Sequence, residues 1–226
     1  MTTLFVSAAG TEVGKTFVTT MLINEIRKTT RRVIALKPII SGFEEDDARE
    51  SDTGLILQAL GREVTRDNID EVSPWRFRAP IAPVLAAARE GQALDIHEIA
   101  VFCQTNTAPN SIKIIEGVGG VMVPLTNQAT ILDLMVEVGA PLLLVAGSYL
   151  GTFSHTLTAL HAVQDRGLKV LGIVISESLD SSVALSETQA TLSRFTCGVP
   201  VIALPRLNAQ VDGQKIPSIA KEIGIL

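Results

Sequence analysis

Six short runs rich in aliphatic residues recur along the chain, at Leu4–Ser7, Val33–Lys37, Ile112–Glu116, Leu142–Ala146, Leu171–Ser176 and Val201–Leu204. Most are apolar at successive positions, the pattern of strands covered on both faces. Between them lie stretches of helical period, notably Lys15–Lys28, Asp52–Leu60, Asp95–Gln104, Ile131–Val138, Ser154–Arg166 and Ser181–Arg194. Strand then helix, repeated, calls for right-handed crossovers. The expected fold is α/β, a doubly wound, mostly parallel sheet flanked by helices. Asp95, with Glu98 three residues on, and Thr130 supply helix caps. Aromatic residues make up only 4% of the chain, so Val, Ile, Leu and Ala must fill the core. With 226 residues, no internal repeat and no long Pro/Gly/Ser linker, residues 1–226 read as one domain.

In an open parallel sheet, ligands sit beyond the carboxyl ends of the strands. The segments there are AAGTEVGKT, KPIISG, EGVGG, GSYLGT, SES and LPRL. The first ends in Gly14-Lys15-Thr16, as a phosphate-binding P-loop does, although Ala9 stands where the strict pattern has glycine and the glycine is shifted to Gly10. A strand before it and a helix after it supply the context of that motif. Backbone amides of such a loop cradle nucleotide phosphates, Lys15 adds a positive charge, and Thr16 offers a hydroxyl to Mg²⁺. Glu12 places a carboxylate inside the loop, to hold it or to face a cation.

Lys37, at the end of the second strand, would be a second cation beside a transferred phosphoryl group, with Ser41 returning polar chemistry to the same rim. Asp52 and Glu116 are the carboxylates best placed to hold Mg²⁺. Glu116 ends an apolar strand, where an unpaired carboxylate is costly. The turn after it, Gly117-Val118-Gly119, lets backbone approach a ligand closely.

A net charge of −5 argues against nucleic acid as a partner and favours small molecules. Leu4–Val6 is too short for a leader or a membrane span, so a cytoplasmic protein with no membrane partner is expected. Cys103 and Cys197 have no metal-ligand spacing and read as two buried small hydrophobes. His97, His155 and His161 are not spaced as a metal site. The acidic stretch Ser41–Ala48 reads as a solvated loop, and Lys215–Leu226 as a short tail packed on the body.

Together these blocks resemble the ATP-dependent dethiobiotin synthetases of biotin biosynthesis. The match covers about residues 3–207: T-E-V-G-K-T at Thr11–Thr16, K-P-x-x-S-G at Lys37–Gly42, S-D at Ser51–Asp52, E-G-x-G-G at Glu116–Gly120 followed by Pro124-Leu125, and L-G-x-x-x-H at Leu150–His155. The resemblance implies a P-loop NTPase-like fold and an ATP- and Mg²⁺-dependent ring closure. In it, 7,8-diaminononanoate takes up CO₂ as a carbamate, the carbamate is phosphorylated, and the second amine displaces phosphate. It implies catalytic roles for Lys37 and Lys15, and nucleotide contacts from Glu12, Val13, Gly14, Lys15, Thr16, Phe17 and the Glu116–Gly119 turn. Thr16, Asp52 and Glu116 would hold the metal, and Thr11, Lys37 and Ser41 would meet the substrate. On the base side it implies Ser176, Glu177, Pro205, Arg206 and Leu207. It further implies a homodimer in which Gly151, Thr152, Phe153 and Ser154 of one subunit reach the substrate carboxylate held by the other. Three departures stand out: Ala8 and Gly10 replace Gly and Asp of the usual loop, Ser154 replaces a frequent Asn, and Ser176-Glu177 replaces Asn-Asp.

Two alternatives remain. A cobyrinate-type amidating synthase would share the P-loop, but K-P-x-x-S-G fits the diamine enzyme better. A ParA/MinD-like positioning ATPase commonly carries a further lysine at the start of the loop, where this chain has Ala8 and Ala9.

Overall fold

The computed structural model describes residues 2–105, 108–179, 181–206 and 216–226. In chain order the elements are β1 (Thr2–Ala8), α1 (Lys15–Arg27), β2 (Arg32–Leu36), β3 (Ile39–Ser41), α2 (Asp52–Ala59), α3 (Arg66–Val72), β4 (Trp75–Phe77), α4 (Pro83–Arg89), α5 (Ile96–Gln104), β5 (Ser111–Glu116), α6 (Ile131–Val138), β6 (Leu142–Gly147), α7 (Thr152–Asp165), β7 (Val170–Ser176), α8 (Leu185–Ser193), β8 (Val201–Leu204) and α9 (Ile219–Glu222). Six strands form one sheet in the order β2-β5-β1-β6-β7-β8, and every pairing within it is parallel. The order reverses around β1, which lies between β5 and β6, so the crevice of a doubly wound sheet opens at the carboxyl end of β1.

The continuous apolar runs have a direct cause. Leu4, Val6 and Ala8 of β1 pack to one side with α1 and α2, while Phe5 packs to the other with α5 and α6. On β6, Leu143 and Val145 follow the first group, Leu142 and Leu144 the second. Strands sandwiched in this way have no solvent face to carry polar residues. The expected α/β class is what is found.

The six long strands and six helices lie within a few residues of their expected positions, but β3, β4, α3, α4 and α9 have no counterpart in the sequence reading. KPIISG does not simply leave β2: Ile39–Ser41 form a strand that pairs with Trp75–Phe77 in a separate two-stranded parallel sheet. The helix expected from Ser181 begins at Leu185 instead. The Ser181 hydroxyl lies within bonding distance of the Ser148 and Val183 carbonyls and donates its one proton there, a local alternative to helix bonding. Cys103 is buried as expected, but Cys197 is exposed, in a turn with φ 50° just before Gly198. It lies past α8, in a turn whose neighbouring residues Thr196 and Val199 take the inward positions instead.

Asp95 and Asp133 do the capping. Asp95 Oδ1 accepts from the His97 and Glu98 amides, and Asp133 Oδ2 accepts from both the amide and the hydroxyl of Thr130. Glu44–Asp47 are exposed, as a solvated loop should be, while Phe43 and Ala48 anchor its ends in the core. In the tail, Ile219, Ala220, Ile223 and Ile225 are buried. Glu25 of α1 accepts from the Ser218 hydroxyl and from the amides of Ile219 and Ala220, holding α9 against the helix that follows the loop.

Candidate active site

The path of the loop explains its unusual residues. Ala8 is the last residue of β1, paired with Val145, and its carbonyl accepts from the Val121 amide at 2.9 Å. It is extended and buried, so a methyl group fits there without cost. Gly10 lies against Gly120, whose added Cβ would come 3.3 Å from the Gly10 Cα. The chain then turns through Glu12, left-handed at φ 58°, and Gly14 at φ 90°. Gly14 caps α1, which begins at Lys15 and points its free first-turn amides back along the loop.

Four side chains from four elements meet behind this loop. The Lys37 ammonium lies 2.7 Å from Glu116 Oε1, 3.0 Å from Asp52 Oδ2 and 3.0 Å from the Gly117 carbonyl. The Thr16 hydroxyl lies 2.7 Å from Asp52 Oδ1 and 2.9 Å from Glu116 Oε1. Each is delivered by a defined end: Thr16 by the start of α1, Lys37 by the exit of β2, Glu116 by the end of β5, and Asp52 by the start of α2. Ser51 caps α2 by accepting from the Gly54 amide. Lys37 and Glu116 are almost wholly buried, at 2% and 0% exposure, whereas the Asp52 side chain is 40% exposed.

Burial works against the charge on Lys37, but the carboxylates of Glu116 and Asp52 outweigh it and raise its pKa. For Asp52 burial is again opposed, here by the Lys37 ammonium and the Thr16 hydroxyl, and the net shift is downward. Lys15 has no such bonded partner among the described residues. Burial, then the Lys37 charge, push it down to about 8 against the pull of Glu116 and Asp52. It is therefore the lysine of the pair that most lacks an anion.

Two cavities flank the loop and share Glu12, Gly14 and Phe17. The first, about 660 Å³, is also lined by Thr11, Lys15, Thr16, Lys37, Ser41, Asp52, Val118 and Gly119. The second, about 530 Å³, is bordered by Val13, Ser176, Glu177 and Arg206. There Glu177 Oε2 accepts from the Arg206 amide at 2.9 Å, joining the turns after β7 and β8. Pro205 sits beside Arg206 but lines neither cavity, and Leu207 lies outside the described residues. Gly151, Thr152, Phe153 and Ser154 form the start of α7 and border neither cavity of their own chain. The Thr152 hydroxyl is bound to the Gly147 carbonyl.

The sequence reading overlooked one wall of the first cavity: Pro80, Ile81, Ala82 and Pro83, together with Ile40 and Val123. The repeated Ala-Pro pairs of Ala79–Pro83 are the signal that was available, a stiff apolar segment between two helical stretches.

Among the described residues, no group of three or more His, Cys, Asp or Glu side chains gathers as a metal site. The cluster offers two carboxylates and a hydroxyl instead, hard oxygen donors of the kind Mg²⁺ takes. The separations of Thr16 Oγ1 from Asp52 Oδ1 and Glu116 Oε1 approach the roughly 2.9 Å expected between adjacent ligands of an octahedral ion with bonds of about 2.0–2.1 Å. Glu116 Oε2 is buried with no hydrogen-bond partner among the described residues, a cost that a cation would relieve. These residues could hold Mg²⁺.

Solved structures with this fold include the MinC:MinD cell division complex of Aquifex aeolicus, with a TM-score of 0.56 and 10% identity over 99% of this chain and 85% of that one. A ParA family ATPase from Chlorobium tepidum gives 0.51 and 13% over 91% and 85%. Identities this low speak for the fold alone. Sequence relatives go further. A family model described as an AAA domain matches residues 2–213. The ATP-dependent dethiobiotin synthetase BioD of Caulobacter vibrioides is 44% identical over 208 residues, 91% of this chain and 93% of the relative. Its namesake from Phenylobacterium zucineum is 42% identical over 209 residues, covering 91% and 89%. A site assembled at the switch point of a parallel sheet and near-full-length identity above 40% lead to one assignment: this chain belongs to the ATP-dependent dethiobiotin synthetases, ligases that form carbon–nitrogen bonds.

Proposed function

We propose that the chain closes the ureido ring of dethiobiotin from 7,8-diaminononanoate, CO₂ and ATP, with Mg²⁺ held by Thr16, Asp52 and Glu116. The observation that supports this reading most is the placement of Lys37 and Lys15 on one cavity with Thr11 and Ser41. A carbamate and a triphosphate are both anions, and two buried ammonium groups offset their repulsion. Lys15 and the first amides of α1 bind the phosphates, and the shift of Lys15 towards neutrality is reversed by the anion it receives. Lys37 reaches the transferred phosphoryl group. Ser41 Oγ is buried without a hydrogen-bond partner among the described residues, so a substrate group completes its bonding. The bound metal supplies positive charge to the phosphates.

One amine takes up CO₂ to form a carbamate, whose oxygen attacks the γ-phosphorus and releases ADP. The second amine then attacks the carbonyl carbon of the carbamic-phosphoric anhydride. The carbon–oxygen bond to phosphate breaks, phosphate leaves and the amine gives up its proton. The apolar wall Pro80–Pro83 suits the aliphatic chain of the diamine. On the base side Val13, Phe17, Ser176, Glu177 and Arg206 receive the adenine.

The start of α7, Gly151–Ser154, lines neither of the two cavities at the loop of its own chain. We assign it to the substrate carboxylate bound by the second subunit of a homodimer, through helix N-terminal amides. The enzyme would then be a cytoplasmic homodimer of single-domain subunits. Among the described residues, no helix is long and apolar enough to cross a membrane.

The test is one incubation of the purified protein with Mg-ATP, bicarbonate and 7,8-diaminononanoate, with mass detection of the cyclised product. Product above an enzyme-free control is expected. None, with ATP turnover indifferent to the diamine, rejects the reading.

A further inference from the structure

We infer that Lys37 and a divalent cation compete for the same two carboxylates, with Glu116 Oε1 the oxygen that both would take, so that cation binding releases the Lys37 ammonium towards the cavity. This rests on the proposed reading of Asp52 and Glu116 as cation ligands. The Lys37 ammonium donates to Glu116 Oε1 and to the Gly117 carbonyl, and pairs with the Asp52 Oδ2 charge at 3.0 Å, so its three near neighbours are all oxygens of the protein. The ammonium is thus engaged inward, with two hydrogen bonds and an ion pair. To meet a phosphoryl group, Lys37 must turn from these carboxylates, and a side chain only 2% exposed leaves an ion pair at considerable cost.

The cluster contains the means to lower that cost. The Thr16 hydroxyl carries one proton but stands within bonding distance of both Asp52 Oδ1 and Glu116 Oε1, so one of the two oxygen pairs has no proton between it. A cation at these three atoms satisfies that pair. It also draws on Glu116 Oε1, the atom nearest the Lys37 ammonium, and repels the ammonium directly. The metal is then more than a counter-charge for ATP, because its arrival frees the lysine needed for transfer.

The test is Mn²⁺ binding followed by electron paramagnetic resonance in the absence of nucleotide. Lys37→Met, which keeps most of the buried aliphatic volume, is expected to bind Mn²⁺ on the order of tenfold more tightly than wild type, about 1.4 kcal/mol. Lys15→Met removes the same charge, but Lys15 acts on the carboxylates through its field alone, so a smaller gain is expected. Equal gains in the two variants would mean a general field effect and overturn the competition, as would unchanged or weaker binding by Lys37→Met. No Mn²⁺ binding by any of the three proteins would overturn the cation assignment and this inference with it. A readout on the wild type guards against a misfolded variant: acetylation of Lys37 by acetic anhydride, followed by peptide mapping, should rise severalfold when Mn²⁺ is added, and no rise would overturn the release. Ring closure by the wild type is measured separately. A working enzyme whose Lys37→Met variant gains nothing in Mn²⁺ affinity refutes the competition and leaves the synthetase reading standing.

Discussion

A Cβ added to Gly14 would stand 2.7 Å from Ser176 Oγ, so the loop before α1 is seated directly on the end of β7. The same residue has φ 90°, which a side chain tolerates only at a cost of roughly 1–2 kcal/mol. Gly14→Ala is therefore expected to weaken ATP binding by more than about tenfold in calorimetric titration. Trimming the neighbour as well, in Gly14→Ala with Ser176→Gly, should restore only part of the loss, because the backbone strain remains. Wild-type affinity in the single variant would mean that the loop can slide along β7.

Lys37→Ala separates binding from chemistry. ATP affinity should stay within a few-fold of wild type, since Lys15 and the α1 amides are untouched. Ring closure should fall by at least about 10²–10³-fold, as when one donor to developing charge is removed. Glu116 loses its buried partner in this variant, so thermal unfolding must be followed alongside, and a lowered midpoint is expected. Normal turnover would remove Lys37 from the reaction.

Asp133 gives a pH test at a distance from the site. The Thr130 amide, followed by the Thr130 hydroxyl and Arg166, holds its carboxyl below the ordinary value of 3.8. A depressed carboxyl adds stability that is full above the unfolded value and is lost as pH falls through the folded one. Asp133→Asn should cost about 0.5–1 kcal/mol at pH 7 in urea unfolding, and the gap should close below pH 3.8. A gap that persists in acid would trace the effect to packing instead.

The two thiols should differ sharply. Burial pushes Cys103 up to about 12, against a small pull from Lys113, whereas Cys197 is exposed. Ellman's reagent should therefore titrate one thiol in the native protein and both in denaturant. Two fast thiols under native conditions would mean that α5 opens readily.

The central strands were legible because burial on both faces leaves an unbroken apolar run, as in Leu142–Ala146. The starts of α5 and α6 were legible because Asp95 and Thr130 precede them. The strand Ile39–Ser41 was not, since three residues after a proline show no period, and its partner Trp75–Phe77 is distant in sequence. The helix Pro83–Arg89 was hidden by the Ala-Pro pairs before it and by three consecutive alanines, which carry little amphipathic signal. In the site, Lys15, Thr16, Asp52 and Glu116 could be singled out from strand ends and motif spacing. The oxygen surroundings of the Lys37 ammonium could not, because they depend on groups at the ends of β2, α2 and β5 converging in space.

The clasp of Glu25 on residues 218–220 has a kinetic side. Its partners are 193 to 195 residues apart in sequence. Contacts of such separation form only after a large loop-closure entropy has been overcome, and they slow the approach to the native state. The helix that begins at Lys15 can therefore form early but is braced at its far end only late. A folding experiment on this chain should find nucleotide affinity maturing together with protection of the Ile219 and Ala220 amides.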